Sequence, residues 1–204
     1  MNRCCLLSAK NSGIGTCAYF DQNIKMSDSE ICDFYLNNKK MPSSFVLKRQ
    51  EITKKGMVIN DDISDVTNIW EDYQYNQYAW NIFSEAVKKC LDEIRTKDDS
   101  YEWIPVEIIG NNEKRIYYVP FFNILPDVLD EVNTTYTKNG SILRPCFASE
   151  KINKYSIFSI GRSNWKIPSG LYVTDIVKKT MKKRKFSNII FEGFACGSEN
   201  GIII

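Results

Sequence analysis

Histidine is absent from all 204 residues. Its absence excludes a Ser-His-Asp triad, a Cys-His dyad, HExxH zinc chemistry and any histidine-bound metal. It also removes the usual general base near neutral pH, so catalysis would have to run on carboxylate, lysine, tyrosine or cysteine. CxxC spacing is missing too, although there are seven cysteines: Cys4, Cys5, Cys17, Cys32, Cys90, Cys146 and Cys196. An odd number without paired spacing argues against a secreted disulfide framework and against a cysteine-only zinc site. Buried thiols in a reducing cytoplasm are the expectation. No stretch approaches the ~20 apolar residues of a membrane span. The apolar run near the N-terminus, Cys4–Leu7, is too short for a signal peptide. Neither sign of charge dominates, since 27 basic against 25 acidic residues leave +2, unlike the basic excess of a typical nucleic-acid binder. A P-loop and a GxSxG elbow are also absent, and no cofactor or metal is expected.

What is present can build a core: 43% of the residues are apolar and 13% aromatic. The length suits one domain or two small lobes. Residues 1–68 carry short apolar runs such as Phe45–Leu47, separated by the turns Asn11-Ser-Gly13 and Lys54-Lys-Gly56. They read as a β-rich N-terminal part of the same domain or a small lobe. Residues 69–204 read as an α+β domain. A helix is expected at about Glu85–Arg95, capped by Ser84, with Val87, Leu91 and Ile94 on one face. Trp103–Ile109 and Arg115–Phe122, joined by the turn at Gly110–Glu113, predict a hairpin. Pro126 to Val132 reads as a turn or short helix, and Ser141–Leu143 and Tyr155–Ile160 read as strands. A second helix is expected at about Asp175–Lys183 with Thr174 as its cap, then a buried strand over Asn188–Phe194. The expected fold class is α+β, with a mixed or antiparallel sheet and two similar capped helices.

The two helix starts echo each other. Phe83-Ser-Glu-Ala-Val-Lys-Lys resembles Val173-Thr-Asp-Ile-Val-Lys-Lys, each after an apolar lead-in and before an apolar strand. Either the unit is duplicated, or cap, acid, apolar, Lys-Lys is generic helix grammar.

Several motifs have a chemical reading and a plainer one. Gly13-Ile-Gly-Thr-Cys-Ala18 fits a loose dinucleotide pattern, but Tyr19-Phe-Asp is a poor helix start, so turn glycines are the better reading. Lys178, Lys179 and Lys182–Lys185 place six bases within eight residues, able to grip phosphates or to form a solvated helix face. Asp127 and Asp130, with Tyr117 or Tyr118, have the residue types of acid–base chemistry, yet aspartates after Pro126 suit turn capping. Asp61, Asp62, Asp65, Glu71 and Asp72 form an acidic stretch interleaved with Trp70, Tyr73, Tyr75, Tyr78 and Trp80. Carboxylates beside aromatic anchors suit the binding of a basic partner. The plainer reading packs the aromatics inward and leaves the acids in water.

From Trp103 onward an order of short motifs carries a family resemblance. The chain has Trp103-Ile-Pro105, Ile116-Tyr-Tyr-Val119, Asp127-Val-Leu-Asp130, Asn139-Gly-Ser-Ile142, Ile157-Phe158, Leu171-Tyr-Val-Thr-Asp175 and Ile189-Ile-Phe191, preceded by Ile82-Phe-Ser-Glu85. This order resembles a bacterial immunity protein family of polymorphic toxin systems, number eleven in the immunity series, first catalogued as a domain of unknown function. The resemblance implies a non-enzymatic protein that binds and neutralises a cognate toxin domain. With no long apolar run no membrane partner is expected, and the near-neutral charge disfavours a nucleic-acid partner. It makes Trp103, Pro105, Tyr117, Tyr118, Asp127, Asp130 and Asp175 motif residues of structural role. The toxin contact is expected at Asp61, Asp62, Asp65, Trp70, Glu71, Asp72, Tyr73 and Tyr75. The alternative is a small nucleic-acid-binding module using the helix near Lys178–Lys185.

Overall fold

Alternating burial along Tyr101–Gly110 and the β-prone run Ile116–Phe122 of Glu113–Phe122 produce the longest hairpin among the described residues, in full antiparallel register from Tyr101–Phe122 to Gly110–Glu113. Its turn is Asn111-Asn112, with φ of 47° and 62°, the left-handed pair that a two-residue turn demands and asparagine tolerates. The computed structural model describes residues 3–10, 14–20, 25–162, 165–198 and 201–203. The expected turn at Asn11–Gly13, and with it the first glycine of the dinucleotide-like pattern, lies outside the described residues.

In chain order the strands and helices are β1 (Cys4–Ala9), β2 (Ile14–Phe20), α1 (Asp28–Asn38), β3 (Phe45–Thr53), β4 (Gly56–Asn60), β5 (Tyr73–Gln74) and β6 (Ile82–Phe83). Then come α2 (Glu85–Glu93), β7 (Tyr101–Gly110), β8 (Glu113–Phe122), β9 (Thr135–Tyr136), β10 (Ile142–Arg144), β11 (Phe147–Ala148) and α3 (Ser149–Ile152). The last elements are β12 (Ile157–Phe158), β13 (Leu171–Thr174), α4 (Asp175–Arg184), β14 (Ile189–Phe194), β15 (Cys196–Ser198) and β16 (Gly201–Ile203). The fold is α+β, with mixed and antiparallel sheets.

The largest sheet runs β2-β3-β7-β8-β6-β5 and closes on itself. Ala18 bridges Asn76 in parallel: the Ala18 N–H donates to the Tyr75 carbonyl (2.7 Å), and the Gln77 N–H donates to that of Ala18 (3.1 Å). Closure leaves no open edge along this seam. Inward residues such as Phe45, Leu47, Ile104, Val106, Ile108 and Val119 fill the barrel. The buried Gln74 amide donates to the carbonyl and hydroxyl of Thr16 (3.4 and 3.3 Å), which satisfies a polar group at the seam. β2 ends beside the start of β3, where Phe20 faces Phe45, and α1 lies between them in the chain and sets Ile31, Cys32 and Tyr35 into the barrel core. The segment after β4 leaves from beside the middle of β3, where Asn60 faces Arg49.

A second sheet, β12-β13-β1-β14, is antiparallel throughout. Leu7, Leu171 and Val173 on one face join Val87 and Leu91 of α2, Val177 and Met181 of α4, and Phe83 and Tyr101 from outside the barrel. Cys4, Tyr172 and Phe158 on the other face meet Phe147 and Cys196 of a small third sheet, β11-β15-β16.

The sequence echo has a topological counterpart. β6 and β7 flank α2 in the chain and are separated in the sheet by β8 alone; β13 and β14 flank α4 and are separated by β1 alone. In both units the flanking strands are parallel, the inserted strand is antiparallel, and a short strand (β5 or β12) pairs outside the first. Each is a split β-α-β unit. They differ in their insert: β8 follows β7 through a tight turn, whereas β1 comes from the N-terminal side of the chain.

Several expectations need correcting. Residues 1–68 contain a helix, α1, besides strands. Ser27 and Glu30 form a reciprocal capping box, and Ile31 and Tyr35 supply the inner face. The strand expected over Tyr155–Ile160 is only Ile157–Phe158, because it pairs with β13 at just two positions. The strand after α4, β14, is not buried: it is the sheet's edge, and its residues are half-buried or exposed. Of the two alternatives for Pro126–Val132 the structure takes the turn, over residues 131–133, and the short helix nearby is α3, which follows β11.

Candidate functional site

The acidic stretch follows β4 and lies on the barrel core through alternating anchors. Ile63 and Ile69 are buried in that core, and Val66 and Trp70 pack on it partly buried. The residues between point outward: Asp61, Asp62 and Asp65 are all exposed. Apolar anchors thus fix a loop that displays three carboxylates, and β3 steadies them with basic side chains. Lys48 Nζ pairs with Asp61 at 2.7 Å, and Arg49 bridges Asp65 and Glu51 (3.4 Å to Glu51). Asp61 keeps 85% of its side chain in water even so. The Ser64 N–H and hydroxyl, with Arg49 nearby, hold the Asp62 carboxyl below its ordinary value.

The remaining predicted contact residues separate. Trp70 is half-buried, stacked on Tyr117 (6.3 Å between centroids, 25° apart), with the Arg115 guanidinium 4.5 Å from its ring. Its indole therefore already has an aromatic and a cationic neighbour. Glu71 gives its carbonyl to the Tyr117 hydroxyl at 3.0 Å. Asp72 is a structural tie: its carboxylate accepts from the Ser84 hydroxyl (2.6 Å) and the Ser187 N–H (2.8 Å). Tyr73 is inside, its hydroxyl donating to Asn81 at 3.0 Å, and burial pushes its pKa well up. Tyr75 is 45% exposed, next to β2 through its carbonyl. Of the eight residues, Asp61, Asp62 and Asp65 share one exposed loop, Trp70 and Glu71 lie at its end, and Asp72 and Tyr73 face other protein groups.

The motif residues hold local structure. Trp103 donates its indole N–H to Asp92 of α2 (2.7 Å) and lies under Lys88, which also faces the Tyr118 ring at 5.4 Å. Pro105 faces Tyr118 across the hairpin, on the outer face of the barrel. Tyr117 points inward, and burial pushes its hydroxyl up to about 12. Asp127 pairs with Lys151 (2.8 Å). Asp130 accepts from the Asn133 side chain (2.7 Å) and from the N–H groups of Val132 and Asn133, which hold its carboxyl low. Its carboxylate lies against Gly197, where a Cβ would clash with it. Asp175 occupies the first turn of α4, where a negative charge suits the helix dipole.

On α4, Lys178 is bonded to the Cys5 sulfur at 3.1 Å and Arg184 pairs with Glu93. Lys182, Lys183 and Lys185 are exposed, and Lys182 and Lys185 border a shallow groove floored by Met181, Phe186, Ile189 and Phe191. All seven cysteines are buried, and none forms a disulfide. Cys4 and Cys196 lie sulfur to sulfur at 3.5 Å, and that contact together with burial pushes the Cys4 thiol far up; burial raises Cys17 to about 12. Among the described residues no group of three or more histidine, cysteine or carboxylate side chains is gathered as metal ligands would be. No described helix is long and apolar enough to cross a membrane.

Sequence reasoning missed an exposed apolar strip. Ile52, Met57 and Ile59 share one face of β3 and β4 and are each 43% or more exposed; Val58 (52%) is exposed on the opposite face, and Val46 and Ile116 are exposed on β3 and β8. The signal was the apolar run Met57-Val-Ile59 between a lysine pair and an aspartate pair. No protein-family model matches the chain, and no curated protein matches it significantly.

Proposed function

We propose that this chain is a non-enzymatic immunity protein that binds a cognate toxin domain and neutralises it. One observation carries the reading: Asp61, Asp62 and Asp65 stand exposed on a loop that Ile63 and Ile69, with Val66 and Trp70 partly buried, anchor to the barrel core. A carboxylate array on a fixed loop costs little ordering entropy on binding and steers a basic partner toward it. The motif order from Trp103 onward supports the same reading. The contact surface is the Asp61–Asp65 loop with the Trp70 edge; Asp72 and Tyr73 support it from behind. The partner is a toxin domain with a basic active-site face. Co-expression with the neighbouring toxin reading frame tests this: the chain should restore growth and co-purify with the toxin at equal stoichiometry. Absence of a toxin gene beside it, with no complex surviving purification, refutes it.

The groove bordered by Lys182 and Lys185 favours a second reading, a small nucleic-acid-binding module. Lys178 and Arg184 are already engaged, which leaves few cations to displace counterions. That reading predicts binding that falls steeply with salt in a filter assay, and salt-independent or absent binding removes it.

A further inference from the structure

We infer that the outer edge of β4 pairs with the same edge of a second copy of this chain. All five residues of β4 are exposed, and among the described residues its only bonded neighbour is β3, on one side. The two-residue turn Lys54-Lys55 makes Thr53 and Gly56 a bonded pair. Alternation then points the backbone groups of Gly56, Val58 and Asn60 at β3 and turns those of Met57 and Ile59 outward. Natural edge strands are blunted by charge, proline or a bulge. Gly56-Met-Val-Ile-Asn60 contains no charge and no proline, and its register with β3 is unbroken.

The charges sit on either side: Lys54-Lys55 before the strand and Asp61-Asp62 after it. Antiparallel pairing centred on Val58 puts Lys54 opposite Asp62, Lys55 opposite Asp61, and Met57 opposite Ile59 of the second copy. The two-fold axis makes each pairing occur twice. The outward backbone groups of Met57 and Ile59 then exchange hydrogen bonds in the same register. Side-chain alternation places Met57 and Ile59 on the face that carries Ile52, so the apolar strips of the two copies join. The segment is thus complementary to itself in charge, hydrogen bonding and hydropathy at a single register. A contact this short falls below the ~1,200–2,000 Å² of a stable assembly, so the dimer is a dynamic one with a dissociation constant on the order of micromolar.

Sedimentation equilibrium of the full chain alone, over about 1 to 500 μM, tests this. Wild type should be a reversible monomer–dimer system. Ile59→Pro removes an outward N–H that β3 does not use, so the chain should stay folded by circular dichroism and remain monomeric. Two further chains, Lys54→Glu/Lys55→Glu and Asp61→Lys/Asp62→Lys, should each self-associate at least about tenfold more weakly, because like charges then face each other. Mixed together they should form a heterodimer, since opposite charges face again. Restored association in the mixture supports the inference even if the proline variant misfolds. A wild type monomeric throughout, a dimer that survives both charge reversals, or a mixture that fails to associate overturns it.

Discussion

Replacing Asp72 with alanine should damage the fold rather than a binding surface. The carboxylate receives the Ser84 hydroxyl at 2.6 Å and the Ser187 N–H at 2.8 Å, and its own N–H donates to the Ser187 hydroxyl at 2.9 Å. It thereby ties the cap of α2 to the turn between α4 and β14. Hydrogen bonds to a charged acceptor contribute about 1.5–3 kcal/mol each when well shielded. Asp72 is only half-buried, so about 2–4 kcal/mol for the pair is the reasonable total. In a chain of this size that lowers Tm by roughly 5–10 °C, measurable by calorimetry. Asp72→Asn keeps the shape and one acceptor oxygen and should lose about half as much. A Tm within about 1 °C of wild type for the alanine variant would show that the tie carries no stability, and the structural assignment of Asp72 would fall.

Three further outcomes follow from the same contacts. Ile63→Ala removes an anchor that is 4% exposed and should cost about 2–4 kcal/mol by urea unfolding; a cost near zero would mean the acidic loop is not held by the core. The carboxyls of Asp130 (held by Asn133) and Glu30 (held by the Ser27 N–H and hydroxyl) lie below their ordinary values. Their stabilisation is therefore complete above about pH 4 to 5 and is lost as pH falls through their lower folded values. Asp130→Asn should flatten the acid limb of a Tm-against-pH curve, and an unchanged limb would refute the linkage. Native protein should show no rapidly reacting thiol toward a disulfide reagent at pH 8, because all seven cysteines are buried; a fast stoichiometric phase would contradict this.

What the sequence made legible was local. Ser84 marks the start of α2 by accepting from the Val87 N–H, and Asn111-Asn112 marks the hairpin turn, because caps and tight turns are decided by one or two residues; Thr174 holds the N-cap position of α4 as expected, but its hydroxyl donates to the Ser156 carbonyl (3.4 Å) and makes no cap bond. α1 was equally legible through Ser27 and Glu30, but the surrounding β-prone runs masked it. Barrel closure was not legible, since it depends on Ala18 meeting Asn76 across 58 positions, and no periodicity reports that distance. The acidic stretch shows the same division. Its charges could be read directly, but which aromatics turned inward was set by the core: Trp80 is 1% exposed and Tyr75 45% exposed, with nothing in the local pattern to separate them.

The most direct test of the account is a titration of the cognate toxin domain into the chain, with wild type compared to Asp61→Asn/Asp62→Asn/Asp65→Asn. Wild type should form a saturable 1:1 complex. The triple variant should bind at least about tenfold more weakly at unchanged Tm, the difference shrinking as salt is raised. Equal affinity of both proteins for the toxin would contradict it.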